Sequence, residues 1–237
     1  MVYRIPAVNL VGRGCLAQLK DEIGTLGCKK ALVVSDKFLT ENGVVEKVTK
    51  VLDQVGIEHT LYNDVKQNPS VANVEGGLEV LKKENCDFIV SIGGGSPQDC
   101  GKAISVLATN GGKITDYEGV NKSQKKCLPI VAIATTAGTS AEVTINYVIT
   151  DEETHIKMIM VDRNTLASIT VNDPELMLSK PAGLTAATGM DALTHAMEAV
   201  VANGAIDVTD ATALYAIKQI FEYLPRAVEN ASIPVAA

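Results

Sequence analysis

The sequence predicts an α/β fold, in which an N-terminal domain with a mainly parallel β-sheet is followed by the first part of an all-α domain. Through the first two thirds of the 237 residues, short β-branched runs alternate with longer segments of helical periodicity, which is typical of βαβ units. From about Leu184 the strand signals stop, and Ala, Leu, Met and Glu dominate. We therefore predict an α/β domain over residues 1–181 and the start of a helical domain over residues 182–237, with the boundary near Pro181.

The predicted elements of the α/β domain alternate along the chain. Short apolar or β-branched runs predict strands over 31–36, 57–62, 86–92 and 128–134, followed by a hairpin of 143–150 and 156–161. Apolar residues at helical spacing predict helices over 44–55, 71–83, 97–108, 185–202 and 208–224.

Composition excludes several classes of function. There are 21 basic and 28 acidic side chains, for a net charge of -7, whereas a general nucleic-acid binder needs a basic surface. No apolar run approaches the roughly 20 residues that cross a bilayer, and the first residues lack a secretory signal pattern. The five cysteines are odd in number and form no C-x-x-C pair, which is typical of reduced thiols. We expect a cytoplasmic protein that binds neither nucleic acid nor membrane.

The most specific local signal is the run of three glycines that connects the strand ending at Ile92 to the next helix. Glycine lets the backbone approach a ligand closely, and the free N–H groups of a helix start favour an anion. Ser96 suits the N-cap, Pro97 the first helical position and Asp99 the third. The pattern predicts a binding site for a pyrophosphate, and the alternative is a plain strand-to-helix turn.

Asp36, at the end of the first predicted strand, has two interpretations. It could accept a hydrogen bond from a ribose hydroxyl and repel a 2′-phosphate, which would favour NAD over NADP. A Rossmann unit, however, places its glycines first and its acid about 20 residues later, and here the acid comes first, which disfavours a standard Rossmann domain. From the residues alone, a role in capping a loop or helix is the favoured interpretation of Asp36.

A second small-residue segment, Thr135 to Ser140, follows the next buried strand. Hydroxyls and free amides at the carboxyl end of a parallel strand lie where open α/β sheets bind ligands. Glu142 and the polar residues after it add polar groups beside an apolar wall. An ordinary turn is the alternative.

Asp191 and His195 are four residues apart, so a helix places them on one face. Oxygen and imidazole ligands suit iron, zinc or manganese. Such a pair is more often a surface hydrogen bond, but the apolar, small-residue setting favours a metal, because burying two unpartnered ionisable groups is costly.

Together these segments resemble the iron-containing (group III) alcohol dehydrogenase family, and the resemblance extends over essentially the whole chain. It implies a dehydroquinate synthase-like fold. The motifs that carry it are Gly12–Gly14, Ser35–Lys37, Asn68–Pro69, Gly93–Asp99, Thr135–Thr139, Tyr147–Asp151 and Ala187–His195. The segment 141–153 resembles the lactaldehyde reductase (1,2-propanediol oxidoreductase) branch in particular, and gives no support to a glycerol dehydrogenase or a dehydroquinate-synthase-like lyase.

The resemblance implies NAD and a divalent metal as cofactors, with Fe²⁺ as the expected metal and Zn²⁺ as the alternative. The implied NAD-binding residues are Asp36, Asn68, Gly94, Gly95, Ser96, Asp99, Thr135, Thr136, Ala137, Gly138, Thr139, Val148, Lys157 and Leu176. Of these, Asp36 and Asn68 would contact the adenosine half, and Val148, Lys157 and Leu176 the nicotinamide side. Without the resemblance, Lys157 would be interpreted as a solvated strand lysine.

The same resemblance implies that Asp191 and His195 are two of four metal ligands. The family takes the other two, and a histidine implicated in proton relay, from helices further along a longer chain. His59 in a predicted strand and His155 in a polar turn are not expected to complete the site. We therefore expect either an amino-terminal portion of such an enzyme or a protein that has lost the metal chemistry.

Two functional hypotheses follow. The first is an NAD- and metal-dependent alcohol dehydrogenase that interconverts a small alcohol or diol with its aldehyde, of the lactaldehyde/1,2-propanediol type. The second is a nucleotide-binding fragment without catalysis, because its metal site is incomplete. The family also implies a homo-oligomer, a dimer or larger, with residues 3–14 as a candidate contact edge.

Overall fold

The computed structural model describes residues 2–230, so residues 231–237 of the predicted helical region lie outside the described range. The strands are β1 (Val8–Val11), β2 (Lys30–Val34), β3 (Glu58–Tyr62), β4 (Phe88–Gly93), β5 (Gly119–Val120), β6 (Ile130–Ala134), β7 (Asn146–Asp151), β8 (Ile156–Val161) and β9 (Ile169–Asn172). The α-helices are α1 (Leu19–Glu22), α2 (Lys37–Glu41), α3 (Val44–Gln54), α4 (Val71–Glu84), α5 (Gly95–Asn110), α6 (Ala182–Val201) and α7 (Asp207–Glu229). Short 3₁₀ helices occupy Cys15–Gln18, Ile23–Leu26, Ile114–Tyr117, Ala141–Val143, Arg163–Thr165 and Pro174–Met177.

Six parallel strands form the main sheet, in the order β1-β9-β6-β4-β2-β3. A smaller sheet has the order β5-β8-β7, in which β7 and β8 pair as an antiparallel hairpin. The predicted α/β fold with a parallel sheet, and the hairpin after it, are therefore confirmed.

Hydrophobic cores lie on both faces of the main sheet. In β2, Ala31 and Val33 pack into one core, with residues of α1 and α3, while Leu32 and Val34 pack into the other, with residues of α4 and α5. Successive strand residues point to opposite faces, so a sheet covered on both sides requires continuous apolar strands. This explains why the central strands are apolar runs without alternation.

The sequence analysis did not predict β1 and β9. They pair with each other in parallel, with Val8 opposite Ile169, and together form one side of the main sheet. Each is only four residues long, and Asn9, Thr170 and Asn172 interrupt the apolar pattern. Such short segments carry little periodicity, and only the pairing stabilises them as strands.

The start of α5 differs from the prediction. Gly94 is the N-cap and Gly95 the first helical residue, so the predicted N-cap role of Ser96 is wrong. Gly94 has extended backbone angles, and its carbonyl accepts a hydrogen bond from Gln98 N, which starts the helix two residues earlier than predicted. Asp99 consequently lies in the second turn, where its side chain cannot cap the first turn.

The helical region begins at Ala182, directly after Pro181, and consists within residues 2–230 of α6 and α7 packed against each other. Gly189 lies at their closest approach, because a Cβ atom there would be 2.3 Å from Leu224 Cδ1. Across the part of the chain that the structure describes, no helix combines the length and hydropathy needed to cross a membrane.

We predict that Gly189→Ala lowers the free energy of unfolding by about 1–3 kcal/mol, because the added methyl group displaces Leu224 from the α6–α7 contact. The control is Gly183→Ala in the same helix, where a Cβ atom meets nothing within 4 Å. Its free energy of unfolding should stay unchanged or rise by up to about 1 kcal/mol. Urea unfolding measures both, and equal stability of the two variants would contradict the prediction.

Candidate functional site

A cleft of about 540 Å³ opens at the carboxyl ends of β2, β4, β6 and β9, where open α/β sheets bind ligands. Eight of the predicted NAD-binding residues line it: Asp36, Gly94, Gly95, Ser96, Thr135, Thr136, Thr139 and Leu176. The lining residues that the sequence analysis missed are Lys37, Phe38, Leu39, Val65, Lys66, Gln67, Pro97, Ser179, Lys180, Pro181, Leu184 and Thr188. Lys37, Pro97 and Thr188 belong to motifs that were recognised without being assigned to NAD, and the others lie in segments that the fold brings to this edge and that carry no motif of their own.

The glycine turn and the small-residue loop after β6 pack closely enough to exclude side chains between them. A Cβ atom on Gly94 would lie 2.9 Å from Thr136 Oγ1, and one on Gly95 would lie 3.2 Å from Thr139 Cγ2. The first amides of α5 have no partner within the helix, so they are available to an anion in the cleft. This geometry is suited to a pyrophosphate.

Gln98 and Lys102 of α5 hold the two loops in place through buried hydrogen bonds. Gln98 Nε2 donates to the carbonyl of Ile133 at 3.0 Å, and Gln98 Oε1 accepts from the hydroxyl of Ser91. Lys102 Nζ donates to three carbonyls in the segment after the small-residue loop, those of Ala141 (2.6 Å), Thr144 (2.8 Å) and Asn146 (2.7 Å). Lys102 is only 1% exposed, and a lysine so deeply buried needs such partners.

Of the charged groups beside Lys102, Glu142 is buried and Asp99 is partly buried, and loss of contact with water shifts the pKa of each. Burial raises the pKa of Asp99 to about 6, although the charge of Lys102 and a hydrogen bond from the amide of Val148 (3.1 Å) both favour the carboxylate. Burial lowers the pKa of Lys102 to about 8 and raises the pKa of Glu142. Asp99 does not line the cleft, and its contact with NAD stays a prediction.

Asp36 caps α2 and also lines the cleft. Its Oδ1 accepts a hydrogen bond from the amide of Leu39 at 2.8 Å, so the capping interpretation of Asp36 is confirmed. The same carboxylate belongs to the cleft lining, and its contact with a ribose stays a prediction.

Asn68 and Lys157 lie next to each other beside Ser96, outside the lining of the cleft. The amide of Asn68 donates to Ser96 Oγ at 3.3 Å, and Asn68 Oδ1 accepts from Lys157 Nζ at 2.9 Å. The structure thus brings Lys157, on the hairpin, to the start of α5. Lys157 is an exposed lysine of β8, as its interpretation as a solvated strand lysine predicts, and its contact with NAD stays a prediction.

Ala137 and Gly138 line a second cavity of about 380 Å³, which also includes Glu142 and Ala192 of α6. A Cβ atom on Gly138 would be 2.8 Å from the carbonyl oxygen of Thr188, so the small-residue loop lies directly against α6. The helical region therefore forms part of both cavities.

Asp191 and His195 lie on one face of α6, with Asp191 Oδ1 and His195 Nε2 3.8 Å apart. Their side chains are 41% and 53% exposed, so the expected apolar, buried setting is wrong: small residues on α6 leave this face open. The two donor atoms fit a divalent metal in kind. Within residues 2–230, however, no three His, Cys, Asp or Glu side chains lie close enough to hold one.

Thr188 connects the metal-type pair to the cleft. It lines the cleft and precedes Asp191 by three residues, so the two lie on neighbouring positions of one helix face. A ligand that extends along the cleft from the glycine turn towards α6 would therefore approach Asp191 and His195.

Comparison with known proteins gives consistent matches. The sequence model of iron-containing alcohol dehydrogenases matches residues 6–174, and the C-terminal model of the Fe-containing alcohol dehydrogenase family matches residues 185–233. Alcohol dehydrogenase 4 of Schizosaccharomyces pombe is 52% identical over 228 residues, which are 96% of this chain and 54% of the relative. NAD-dependent methanol dehydrogenase of Bacillus methanolicus is 48% identical over 228 residues, covering 96% of this chain and 60% of the relative.

Lactaldehyde reductase of Escherichia coli is 44% identical over 211 residues, covering 88% of this chain and 55% of the relative. Among solved structures, that of a 1,3-propanediol oxidoreductase superposes with a TM-score of 0.96 at 46% identity, covering 99% of this chain and 62% of that chain. The chain thus spans between about half and two thirds of the length of the proteins it matches.

We predict that the stability of the protein, relative to Asp99→Asn, falls as the pH rises from about 4 to about 6. The carboxyl of Asp99 binds its proton more tightly in the folded state, with a pKa of about 6, than in the unfolded state, with a value of 3.8. Raising the pH through this window deprotonates the unfolded chain first and so favours unfolding, by at most about 3 kcal/mol.

Urea unfolding of both proteins at several pH values between 4 and 7 measures the difference. The exposed Asp21, replaced in Asp21→Asn, provides the control, which should follow the unmodified protein. If the free energies of unfolding of the protein and of Asp99→Asn differ by the same amount at every pH, the raised pKa of Asp99 is refuted.

Proposed function

The chain belongs to the iron-containing alcohol dehydrogenase family, and from this membership we propose that it acts in the NAD-dependent interconversion of a small alcohol or diol with its aldehyde. The observation that carries the proposal is the cleft at the glycine turn, whose lining joins the start of α5, the loop after β6 and the helix that presents Asp191 and His195. The cytoplasmic location expected from the sequence is part of the same proposal.

In this proposal the chain's own residues bind and orient the cofactor. The diphosphate of NAD lies at the first amides of α5, beside Gly95 and Ser96, because these N–H groups have no other partner in the helix. Asp36 accepts from the adenosine ribose, and Thr139 offers its hydroxyl beside the diphosphate. The nicotinamide then points towards α6, where the reacting carbon of the substrate has to lie for hydride transfer.

Asp191 and His195 would hold the divalent metal, with Fe²⁺ expected and Zn²⁺ as the alternative. When bound, such a metal supplies a Lewis acid that polarises the oxygen of the alcohol or aldehyde. The carboxylate and the imidazole are placed for this by their i, i+4 spacing on an exposed helix face.

A lactaldehyde/1,2-propanediol type of substrate is the narrower proposal, and it rests on segment 141–153. The relatives' names support the broader class more strongly: methanol dehydrogenase, 1,3-propanediol dehydrogenase and lactaldehyde reductase all denote enzymes of short alcohols, diols or their aldehydes. The identity to lactaldehyde reductase, 44%, is lower than the 48% to methanol dehydrogenase, so we propose the class rather than one member.

One observation favours a second candidate function, a nucleotide-binding module without catalysis. Within the described range 2–230, Asp191 and His195 have no third metal-type donor near them. Two ligands hold a metal weakly, so the chain by itself could bind NAD without turning over substrate.

We also propose that the protein forms a homo-oligomer, a dimer or larger. β1 supports this, because it lies at one end of the main sheet and leaves its outer hydrogen-bonding groups open to a second strand.

We predict that the protein binds NADH and that Gly95→Val raises the Kd at least about tenfold. The valine side chain would occupy the space between α5 and Thr139, where a Cβ atom already lies 3.2 Å from Thr139 Cγ2. The chain contains no tryptophan, so NADH fluorescence can be followed directly. Gly24→Val, at a glycine whose Cβ atom would meet nothing within 4 Å, is the matched control and should bind as the unmodified protein does.

The same titration separates the two candidate functions. Aldehyde reduction by NADH in the presence of Fe²⁺ or Zn²⁺ supports the dehydrogenase, whereas binding without turnover supports the nucleotide-binding module. Absence of NADH binding would rule out both.

We predict that Asp191→Ala and His195→Ala each abolish the binding of Zn²⁺ or Fe²⁺ that the metal-free protein shows in calorimetric titration, because either change leaves a single donor on the helix face. His155→Ala, which removes a histidine from the turn between β7 and β8, should leave the binding unchanged. If the metal binds Asp191→Ala and His195→Ala as well as the unmodified protein, the proposed metal site is wrong.

A further inference from the structure

Lys180 is a lysine of the cleft that has no partner among the described residues. It follows the 3₁₀ helix Pro174–Met177 and precedes Pro181, the residue before α6, and its side chain lines the cleft together with Gly95 and Ser96. The sequence motifs did not single it out, and the proposed function has not used it.

A backbone hydrogen bond and the following proline restrain the position of Lys180 beside the cleft. Its amide donates to the carbonyl of Met177 at 3.2 Å, which closes a turn. Pro181 restricts the backbone of the residue before it to extended conformations. The backbone of Lys180 is therefore restrained beside the cleft.

Within residues 2–230, no carboxylate forms an ion pair with Lys180 and no acceptor hydrogen-bonds its ammonium group. The other two lysines of the cleft lining differ from it in this environment: Lys37 forms an ion pair with Asp64 at 2.9 Å, and Lys66 is exposed to solvent. The carboxylate of Asp36, in the same lining, accepts from the amide of Leu39 instead.

Partial burial makes this isolated charge costly. Lys180 is partly shielded from water, and this burial lowers the pKa of its ammonium group. A cation that has lost part of its hydration and has no counter-ion gains more from an anion than an exposed lysine does. The first amides of α5, in the same cleft, favour an anion as well.

We propose that Lys180 binds a phosphate group of the nucleotide, so that the anion is held between the amides of α5 and this ammonium group. The inference rests on the proposed function, because it assumes that the cleft binds a nucleotide. The phosphate can be one of the diphosphate or a 2′-phosphate on the ribose. Asp36 in the same lining disfavours the 2′-phosphate, and the experiment separates the two sources.

The experiment compares the protein with Lys180→Met, which keeps an unbranched side chain, one heavy atom shorter, and removes its charge, and with Lys180→Arg, which keeps the charge. Isothermal titration calorimetry with ADP, 2′-AMP and adenosine measures each Kd. For Lys180→Met we expect the Kd of ADP to rise about tenfold and that of adenosine to stay unchanged, because only ADP carries the diphosphate. Lys180→Arg should bind ADP within about threefold of the unmodified protein.

The matched control is Lys83→Met, which makes the same change in net charge at an exposed position of α4 and should not change any Kd. The ligand-free Lys180→Met protein should unfold at the same temperature as the unmodified protein or higher, because it loses an unpaired, partly buried charge. A lower unfolding temperature together with equal weakening of ADP and adenosine would show a structural role and overturn the proposal.

The remaining outcomes are distinct. A weaker Kd for 2′-AMP alone assigns Lys180 to the 2′-phosphate, and a weaker Kd for ADP alone assigns it to the diphosphate. If the unmodified protein binds ADP and Lys180→Met binds it equally well, the role of Lys180 is wrong while the proposed function stands. If the unmodified protein binds neither ADP nor NADH, the proposed function fails, and the role of Lys180 with it.

Discussion

The candidate site depends on the buried polar contacts that the second turn and the middle of α5 make with backbone groups. Gln98 donates a hydrogen bond to the end of β6, and Asp99 accepts one from the amide of Val148. Lys102 donates to three carbonyls between Ala141 and Asn146. The start of the same helix offers its amides to the cleft. The single helix α5 therefore fixes the distance between the glycine turn and the loop after β6. This distance sets the width of the cleft at that point.

These contacts are costly as well as necessary. The shifted pKa values of Asp99 and Lys102 show that burial disfavours the charged form of each group, and hydrogen bonds to Lys102 offset part of this cost. Replacing Lys102 by an apolar residue would remove the short hydrogen bonds that connect the carbonyls of Ala141, Thr144 and Asn146 to α5. Apolar side chains could not make these hydrogen bonds to the irregular backbone beside the cleft.

The sequence predicted the parallel sheet, the hairpin and α6 with its Asp191–His195 pair, because these depend on local periodicity and spacing. The sequence predicts the N-cap of α5 at Ser96 because serine side chains often cap helices. The structure has Gly94 at this position, where the extended backbone needs no capping side chain. β1 and β9 were missed because the pairing of distant segments makes them strands. Neither Lys102 nor Lys180 belongs to a sequence motif. Only the fold shows that the ammonium group of Lys102 hydrogen-bonds four oxygen atoms, whereas that of Lys180 has no partner among the described residues.

The position of α6 joins the two halves of the proposed chemistry. Gly138 allows the loop after β6 to touch the backbone of Thr188, and any side chain at Gly138 would push helix and loop apart. Thr188 belongs to the cleft, and Asp191 and His195 follow on the same helix about one and two turns later. Because the helix is rigid over this short distance, the contact at Gly138 fixes how far the Asp191–His195 pair lies from the loop that lines the cleft. The close packing of Gly138 on α6 thus links the loop after β6 to the helix that carries Asp191 and His195, and a contact between Gly138 and NAD stays a prediction.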